Sequence, residues 1–420
     1  MRLTEGELIM DKKLKCGLIG KPLGHSYSPQ IHFELGSYEY SLFELEEKEV
    51  GDFVKSDAYD AINVTIPYKK AVMEFLDEIS PEALRIGSVN TVTRGENGRL
   101  IGNNTDYYGF SYLIDRAGIN LPGKKVLILG SGGASMTART VAADRAAREI
   151  VIISRSGRDN YENIRRHADC DVLINTTPVG MYPNNGISPV SLDAFPRLCG
   201  VVDMIYNPER TALILEAEKR GIRCTSGLPM LVAQAKAASE FFTGEKIPES
   251  ETERIIAKIS SHMKNITLVG MPGSGKSTIA KKLSEMLSRP FFDSDAMIEE
   301  KTGMAIPDIF KKYGEARFRE LEHEVIGEIT KKQSSVIATG GGAVLSNENR
   351  DLIRQNSFVV FLQRDISSLP RDGRPISLSA DLEDLYKLRF PYYNAVADIS
   401  VKVDDDVQKN AEKIISLLGL

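Results

Sequence analysis

Residues 270–278, GMPGSGKST, constrain the fold more than any other stretch of the chain. They fit G-x-x-x-x-G-K-[ST], with Gly270, Gly275, Lys276 and Ser277 on the fixed positions. Ahead of them Ile266-Thr267-Leu268-Val269 is apolar and rich in β-branched residues, and residues 279–287 behind them carry helical periodicity. Strand, loop and helix thus follow in the order a phosphate-binding loop requires. The glycines let the backbone N–H groups of Gly273, Ser274, Gly275, Lys276, Ser277 and Thr278 turn toward phosphate oxygens, and the helix N-terminus adds partial positive charge. Lys276 can reach the outer phosphates and Ser277 can ligate Mg²⁺. A nucleoside triphosphate site therefore opens near residue 265. The residues before it must form something else.

At 420 residues the chain is too long for one core, and two or three domains are expected. Its 42% hydrophobic and 26% charged residues are those of an ordinary soluble protein. A net charge of −5, with no basic run interleaved with aromatics, argues against a nucleic-acid partner and for small substrates. Cys16, Cys170, Cys199 and Cys224 are widely spaced, with no C-x-x-C and no matching histidine cluster, so they read as free thiols in a reducing compartment. No apolar run approaches membrane-spanning length. The expectation is a cytoplasmic α/β enzyme with no membrane partner; a homodimer is compatible with this reading.

From the N-terminus, Cys16-Gly17-Leu18-Ile19 leads as a strand into the loop of residues 20–29, which carries Ser26 and Ser28. Residues 61–66 form a β-branched strand that stops at Pro67, with Lys69 just beyond. Asn90 and Asp106 close two further strands. Strand ends are where open α/β sheets bind ligands. Taken alone, Ser26 and Ser28 serve equally as turn formers, and Lys69 as a surface lysine at a helix start.

A second phosphate loop, Gly130-Ser131-Gly132-Gly133-Ala134, follows an apolar strand and precedes a helix of small residues. The next strand, residues 149–153, ends in Ser154-Arg155-Ser156. An NAD site would want an acid there, whereas Arg155 suits a 2′-phosphate, so the expected cofactor is NADP(H). Residues 171–175 and 201–205 give two more strands, and Met230 to Lys236 lie on a helix after Gly227. Residues 243–261 are expected to form a polar connecting helix, with Ile255, Ile256 and Ile259 at helical spacing. Each half is expected to fold alone.

Residues 1 to about 245 resemble shikimate dehydrogenase through eight motifs in order: GKPLGHSYSP, NVTIPYK, GSVNT, NNTD, GSGGA, NTTPVGM, DMIYNP and GLPMLVAQA. The resemblance implies that Ser26 and Ser28 hold a substrate carboxylate, that Thr65, Asn90, Tyr206 and Gln234 contact the ring, and that Lys69 and Asp106 are the catalytic pair. It further implies that residues 130–134, 154–156, Met204 and Gly227 line the cofactor. Three positions depart from the family: Phe33, Ser226 and Tyr107, the last expected to narrow the pocket.

Beyond the first phosphate loop, Asp293 and Asp295 stand two apart on a segment expected to be extended. Arg319 and Glu322 sit at i, i+3 on a helix, where Glu322 can orient the guanidinium. A strand then closes in Gly340-Gly341-Gly342, where a ligand is expected against bare backbone. Arg374 and Arg389 follow. From about 264 to 420 the chain resembles shikimate kinase through GMPGSGKST, DSD, GEARFRELE, GGG, GRP and R-x-x-Y. That implies shikimate contacts from Asp295, Arg319, Gly341 and Arg389, Arg374 on a mobile lid, and help with Mg²⁺ from Asp293. Asp295, Lys276 and Arg374 would be catalytic, and the lid segment is shorter than the family's.

The implied architecture is a substrate domain at 1–110, completed by about 235–260, a Rossmann-like NADP domain at 111–234, and a P-loop α/β/α kinase with a parallel sheet at 263–420. The implied activities are NADPH-dependent reduction of 3-dehydroshikimate to shikimate and ATP-dependent phosphorylation of shikimate. The alternative is a quinate/shikimate dehydrogenase followed by a nucleotide-binding regulatory module.

Overall fold

The computed structural model describes residues 13–24, 26–369 and 382–420. It contains three β-sheets in two compact units. The first comprises the described parts of Met1–Thr177, Leu192–Met204 and Ile222–Ala257; the second those of Pro178–Ser191, Ile205–Gly221 and Lys258–Leu420.

The first sheet holds β1 (Lys15–Gly20), β2 (Glu39–Glu44), β3 (Ala61–Val64), β4 (Glu78–Ile79), β5 (Thr91–Arg94) and β6 (Leu100–Asn103), in the order β2-β1-β3-β5-β6-β4. β5 runs antiparallel to both neighbours, and the other pairs are parallel. Its core is built on Ile19, Ile62, Val64 and Val92, closed by Val50, Val54 and Val72. Ala61–Val64 is buried throughout, whereas Glu39–Glu44 at the edge is mostly exposed.

The second sheet holds β7 (Lys125–Leu129), β8 (Glu149–Ile153), β9 (Val172–Asn175), β10 (Gly200–Asp203) and β11 (Arg223–Thr225). All its pairs are parallel, in the order β11-β10-β9-β7-β8. Sheets of this kind are covered on both faces, and Lys125–Leu129 is accordingly buried at every position. The order reverses at β7, so the loop after β7 opens at the crevice where such sheets take ligands.

In the second unit β12 (Asn265–Gly270), β13 (Phe291–Asp293), β14 (Val336–Ala338), β15 (Ser357–Gln363) and β16 (Ile399–Lys402) make an all-parallel sheet in the order β13-β14-β12-β15-β16. One face packs Ile266, Leu268 and Val360 against Ile279, Leu283 and Ile414. Val269, Val359 and Phe361 on the other face meet Ile326, Ile353 and Tyr393. This unit also takes in the two short stretches from earlier in the chain: Tyr182 Oη donates to Thr330 O at 3.2 Å, Lys219 pairs with Asp351 at 2.7 Å, and Arg354 pairs with Glu218 at 3.1 Å.

The connecting helix runs over Glu249–Met263, later than expected, and buries Ile255, Ile256 and Ile259. All four cysteines are free. Among the described residues no helix is long and apolar enough to cross a membrane.

Candidate active sites

In the first unit Lys69, in the turns after β3, is brought to Asp106, the first residue of the helix Asp106–Ala117; Nζ and Oδ2 lie 2.6 Å apart. Their side chains are 25% and 16% exposed, so the pair is shielded yet open to a ligand. Lys69 O accepts Val89 N–H at 2.8 Å, which ties the lysine backbone to the segment carrying Asn90. Asn90 Oδ1 in turn accepts Thr105 N–H at 2.6 Å, next to Asp106. Gln234 comes from the helix Leu228–Thr243, and its Oε1 accepts from Thr105 Oγ1 at 3.4 Å. Gly109 makes that approach feasible: a Cβ there would stand 2.7 Å from Met230 O and 2.8 Å from Gln234 Cβ. Ser26 Oγ accepts Ser28 N–H at 3.2 Å at the start of the helix Ser28–Leu35. Thr65 N–H donates to Ile19 O at 2.9 Å.

The resemblance left out three polar groups that organise this site. Asn63 Nδ2 donates to Asn90 O and Thr91 Oγ1, and Thr91 Oγ1 donates to Asn90 Oδ1 and meets Thr105 Oγ1. All three are buried, and their visible signal was a polar side chain inside an apolar strand or directly before the helix. Tyr107 turns its hydroxyl to Asp144 Oδ2 at 2.8 Å, an acceptor shared with Arg85. Tyr206 belongs to the second unit, where burial raises the pKa of its phenol.

At the second sheet's crevice Gly130 has φ +106, and a Cβ on it would stand 2.6 Å from Thr176 Oγ1. Gly132 and Gly133, by contrast, face open space at the start of the helix Gly133–Asp144. That is the arrangement a pyrophosphate needs, with bare backbone N–H groups at a helix N-terminus and room before them. Ser131 and Ala134 flank the two glycines. Ser154 N–H bonds Asp159 O at 3.2 Å, which shapes the turn that leaves Arg155 and Ser156 exposed. Gly227 lets Met204 approach, since a Cβ would stand 2.1 Å from Met204 O.

The phosphate loop of the second unit follows β12 and enters the helix Lys276–Leu287. Gly270, Gly273 and Gly275 all have positive φ, and β15 runs so close that a Cβ on Gly270 would lie 2.7 Å from Leu362 O. Lys276 Nζ folds onto Gly270 O and Met271 O, each at 2.9 Å. Ser274 is buried and Thr278 lines the cleft. Ser277 Oγ donates to Asp293 Oδ2 at 2.5 Å. This pair of oxygens suits a hard cation, although the described residues hold no cluster of three or more His, Cys, Asp or Glu side chains that would cage a metal by themselves.

Asp293 and Asp295 do not lie on one extended segment. Asp293 ends β13 and caps the helix Ser294–Thr302, its Oδ1 accepting the N–H groups of Asp295 and Ala296, so Asp295 already sits in the first helical turn. Helix capping overrides the strand geometry expected from the spacing. Burial, then the charge of Asp293, raises the Asp295 carboxyl from an ordinary 3.8 to about 6. Its Oδ1 is buried without a partner.

Arg319 donates to Glu322 at 2.8 Å and to Glu315 at 3.0 and 3.2 Å. Burial raises the Glu322 pKa, with Arg319 opposing the rise. The three glycines after β14 each admit a protein group: a Cβ on Gly340 would stand 2.6 Å from Asp295 Oδ1, on Gly341 2.7 Å from Pro272 Cδ, and on Gly342 2.5 Å from Arg319 Nη1. Arg389 Nη1 and Tyr393 Oη both donate to Gly341 O, at 3.1 and 2.5 Å. Tyr393 went unnoticed in the sequence, although it stands at i+4 from Arg389 on the helix Leu382–Val396 and so shares its face. A cleft of about 570 Å³ joins the phosphate loop to Asp295, Arg319, Gly341 and Arg389. Arg374 lies outside the described residues.

A family model described as shikimate dehydrogenase substrate binding domain matches residues 18–92, and one described as shikimate kinase matches residues 272–419. The chain is 37% identical over 264 residues to an NADP(+) shikimate dehydrogenase of Clostridium perfringens, covering 58% of this chain and 97% of that one. Among solved structures it resembles a chorismate mutase/shikimate 5-dehydrogenase fusion from Clostridium acetobutylicum (TM-score 0.56, 33% identity, 59% of this chain and 97% of that one). It also resembles the shikimate 5-dehydrogenase of Thermus thermophilus in complex with NADP(H) and shikimate (TM-score 0.54, 30% identity, 58% and 99%). Together with the Lys69–Asp106 pair and the cleft beside the phosphate loop of the second unit, these likenesses establish that the chain belongs to the shikimate dehydrogenase family and carries a shikimate kinase domain behind it.

Proposed function

We propose that the chain reduces 3-dehydroshikimate to shikimate with NADPH and then phosphorylates the 3-hydroxyl of shikimate with ATP. Residues 1–110, completed by 235–260, would bind the first substrate, 111–234 would take NADP(H), and 263–420 would be the kinase. When bound, NADPH supplies the hydride. Lys69 gives the proton that the developing alkoxide needs and stabilises its charge, while Asp106 holds the ammonium in place. Ser26 and Ser28 bind the carboxylate; Thr65, Asn90, Tyr206 and Gln234 bind the ring. Arg155 recognises the 2′-phosphate.

In the kinase reaction Asp295 orients the 3-hydroxyl and accepts its proton, while Arg319 and Arg389 hold the carboxylate. Lys276 and Arg374 offset phosphoryl charge. Ser277 and Asp293 would hold Mg²⁺, which supplies further charge neutralisation when bound. Four free thiols support a cytoplasmic setting.

The observation that carries the sequential reading is the convergence of Asp295, Arg319 and Arg389 on the cleft of the phosphate loop. A module that only senses nucleotide has no use for a carboxylate and two arginines there. A coupled assay tests the reading: 3-dehydroshikimate, NADPH, ATP and Mg²⁺ should yield shikimate 3-phosphate. Accumulation of shikimate with ATP untouched would favour a regulatory module.

A further inference from the structure

The cleft of the second unit contains an arginine that neither the phosphate loop nor the shikimate contacts account for. Arg364 follows directly on β15, the strand beside β12, and lines the cleft together with Gly275, Lys276 and Thr278. Its Nη1 stands 3.9 Å from the position a Cβ on Gly275 would take. Nη2 is bonded to Asp405, in the turn between β16 and the helix Val407–Leu418. The arginine side chain is only 19% exposed whereas Asp405 is 93% exposed, and Nε is buried without a hydrogen-bond partner. A guanidinium has five N–H donors and cannot shed its charge. Here one nitrogen is bonded to a carboxylate, and Nη1 points toward the phosphate loop with no acceptor among the described residues. Leaving a buried donor unpaired is costly, and phosphate oxygens, like carboxylates, are strong charge-assisted acceptors for a guanidinium.

We propose that Arg364 is a nucleotide-binding residue of the kinase, donating through Nη1 to the phosphate chain of ATP while Asp405 anchors the far side of the guanidinium. The proposal rests on the kinase reading and adds a contact to it. Arg364 touches the nucleotide; Asp405 is a positioning residue that acts through it. The shikimate contacts, Asp295, Arg319 and Arg389, lie on other elements and need not change when Arg364 does.

The test uses the full-length chain. ATP and inorganic tripolyphosphate are titrated calorimetrically, the kinase KM is measured for each substrate, and dehydrogenase activity in the same preparations reports that the chain has folded. Arg364→Met should weaken ATP and tripolyphosphate alike, by about tenfold, the effect of one charge-assisted contact, and leave the KM for shikimate unchanged. Asp405→Asn should raise the KM for ATP by a smaller factor and spare kcat. Arg364→Lys, the milder change should the Met variant misfold, keeps the charge without the planar fork and should also weaken ATP. Wild-type ATP affinity in either Arg364 variant overturns the proposal, as does a loss for ATP without one for tripolyphosphate. Equal rises in KM for ATP and shikimate would make the role structural and also overturn it. If the wild-type chain binds no ATP, the kinase reading itself falls, an outcome distinct from all of these.

Discussion

Lys69 Nζ and Asp106 Oδ2 lie 2.6 Å apart although 37 residues separate them in the chain. One group comes from the turns after β3 and the other from the first turn of the helix that follows β6. The lysine is thereby aimed by a carboxylate that sits next to the buried Thr105–Asn90 bonds.

Replacing Lys69 by alanine should therefore lower the reduction of 3-dehydroshikimate by ~10² or more, the scale of one positioned acid/base group. Phosphorylation of added shikimate should not change. Near-normal reductase turnover in Lys69→Ala would remove the lysine from the chemistry.

Arg155 is exposed at the end of β8, where an acid would favour NAD. Arg155→Ala should weaken NADPH by about tenfold, the loss of a charge-assisted contact in partial solvent, and leave NADH nearly as it was. Equal losses for both cofactors in a fluorescence titration would detach Arg155 from the 2′-phosphate.

The kinase should depend on pH through Asp295, whose carboxyl burial has raised to about 6. As the base it must be deprotonated, so kcat/KM for shikimate should fall by about tenfold per unit as the pH drops below that value. The same shift has an opposite sign for stability. Between the ordinary 3.8 and about 6 the folded chain keeps a proton that the unfolded chain has released, so stability drops as the pH rises through this window and remains lower above it. Asp295→Asn should therefore lower kinase turnover by ~10² or more and raise the melting temperature of the kinase transition at neutral pH. A variant that melts lower would contradict the burial cost assigned to the carboxylate.

Gly340 packs against the acid: a Cβ there would stand 2.6 Å from Asp295 Oδ1 and 3.0 Å from Glu322 Oε1. Gly340→Ala should displace Asp295, raising the KM for shikimate and lowering kcat with little change in ATP affinity. Unaltered kinetics would mean that Asp295 can move aside at no cost to the reaction.

Cutting the chain after Ser261 should destabilise the kinase fragment. It removes Ser261 O, which accepts from Arg289 Nη2 at 2.9 Å within the second unit. The cut also removes Lys219, Glu218 and Tyr182, the partners of Asp351, Arg354 and Thr330. Residues 262–420 should melt lower than the kinase transition of the full-length chain, as seen by thermal unfolding; equal melting temperatures would show that the removed bonds contribute nothing.

Both glycine loops and most central strands were legible in the amino-acid order, because each is local: a run of β-branched residues, or a glycine where φ must be positive. Edge strands were less so. Glu39–Glu44, Arg223–Thr225 and Ile399–Lys402 are short or mostly exposed and lack the apolar signature of strands covered on both faces. The reading of Lys69 as catalytic needed the family resemblance, since nothing local separates it from a surface lysine. Only the tertiary structure decided the rest. Asp293 caps a helix because two backbone N–H groups lie within its reach. The three glycines after β14 are bare because a carboxylate, a proline ring and a guanidinium from three other segments occupy the space of their missing side chains. Arg364 meets the phosphate loop because β15 and β12 are hydrogen-bonded neighbours. Such relationships arise between residues far apart in sequence, where propensity and periodicity carry no information, and close packing alone settles which side chains meet.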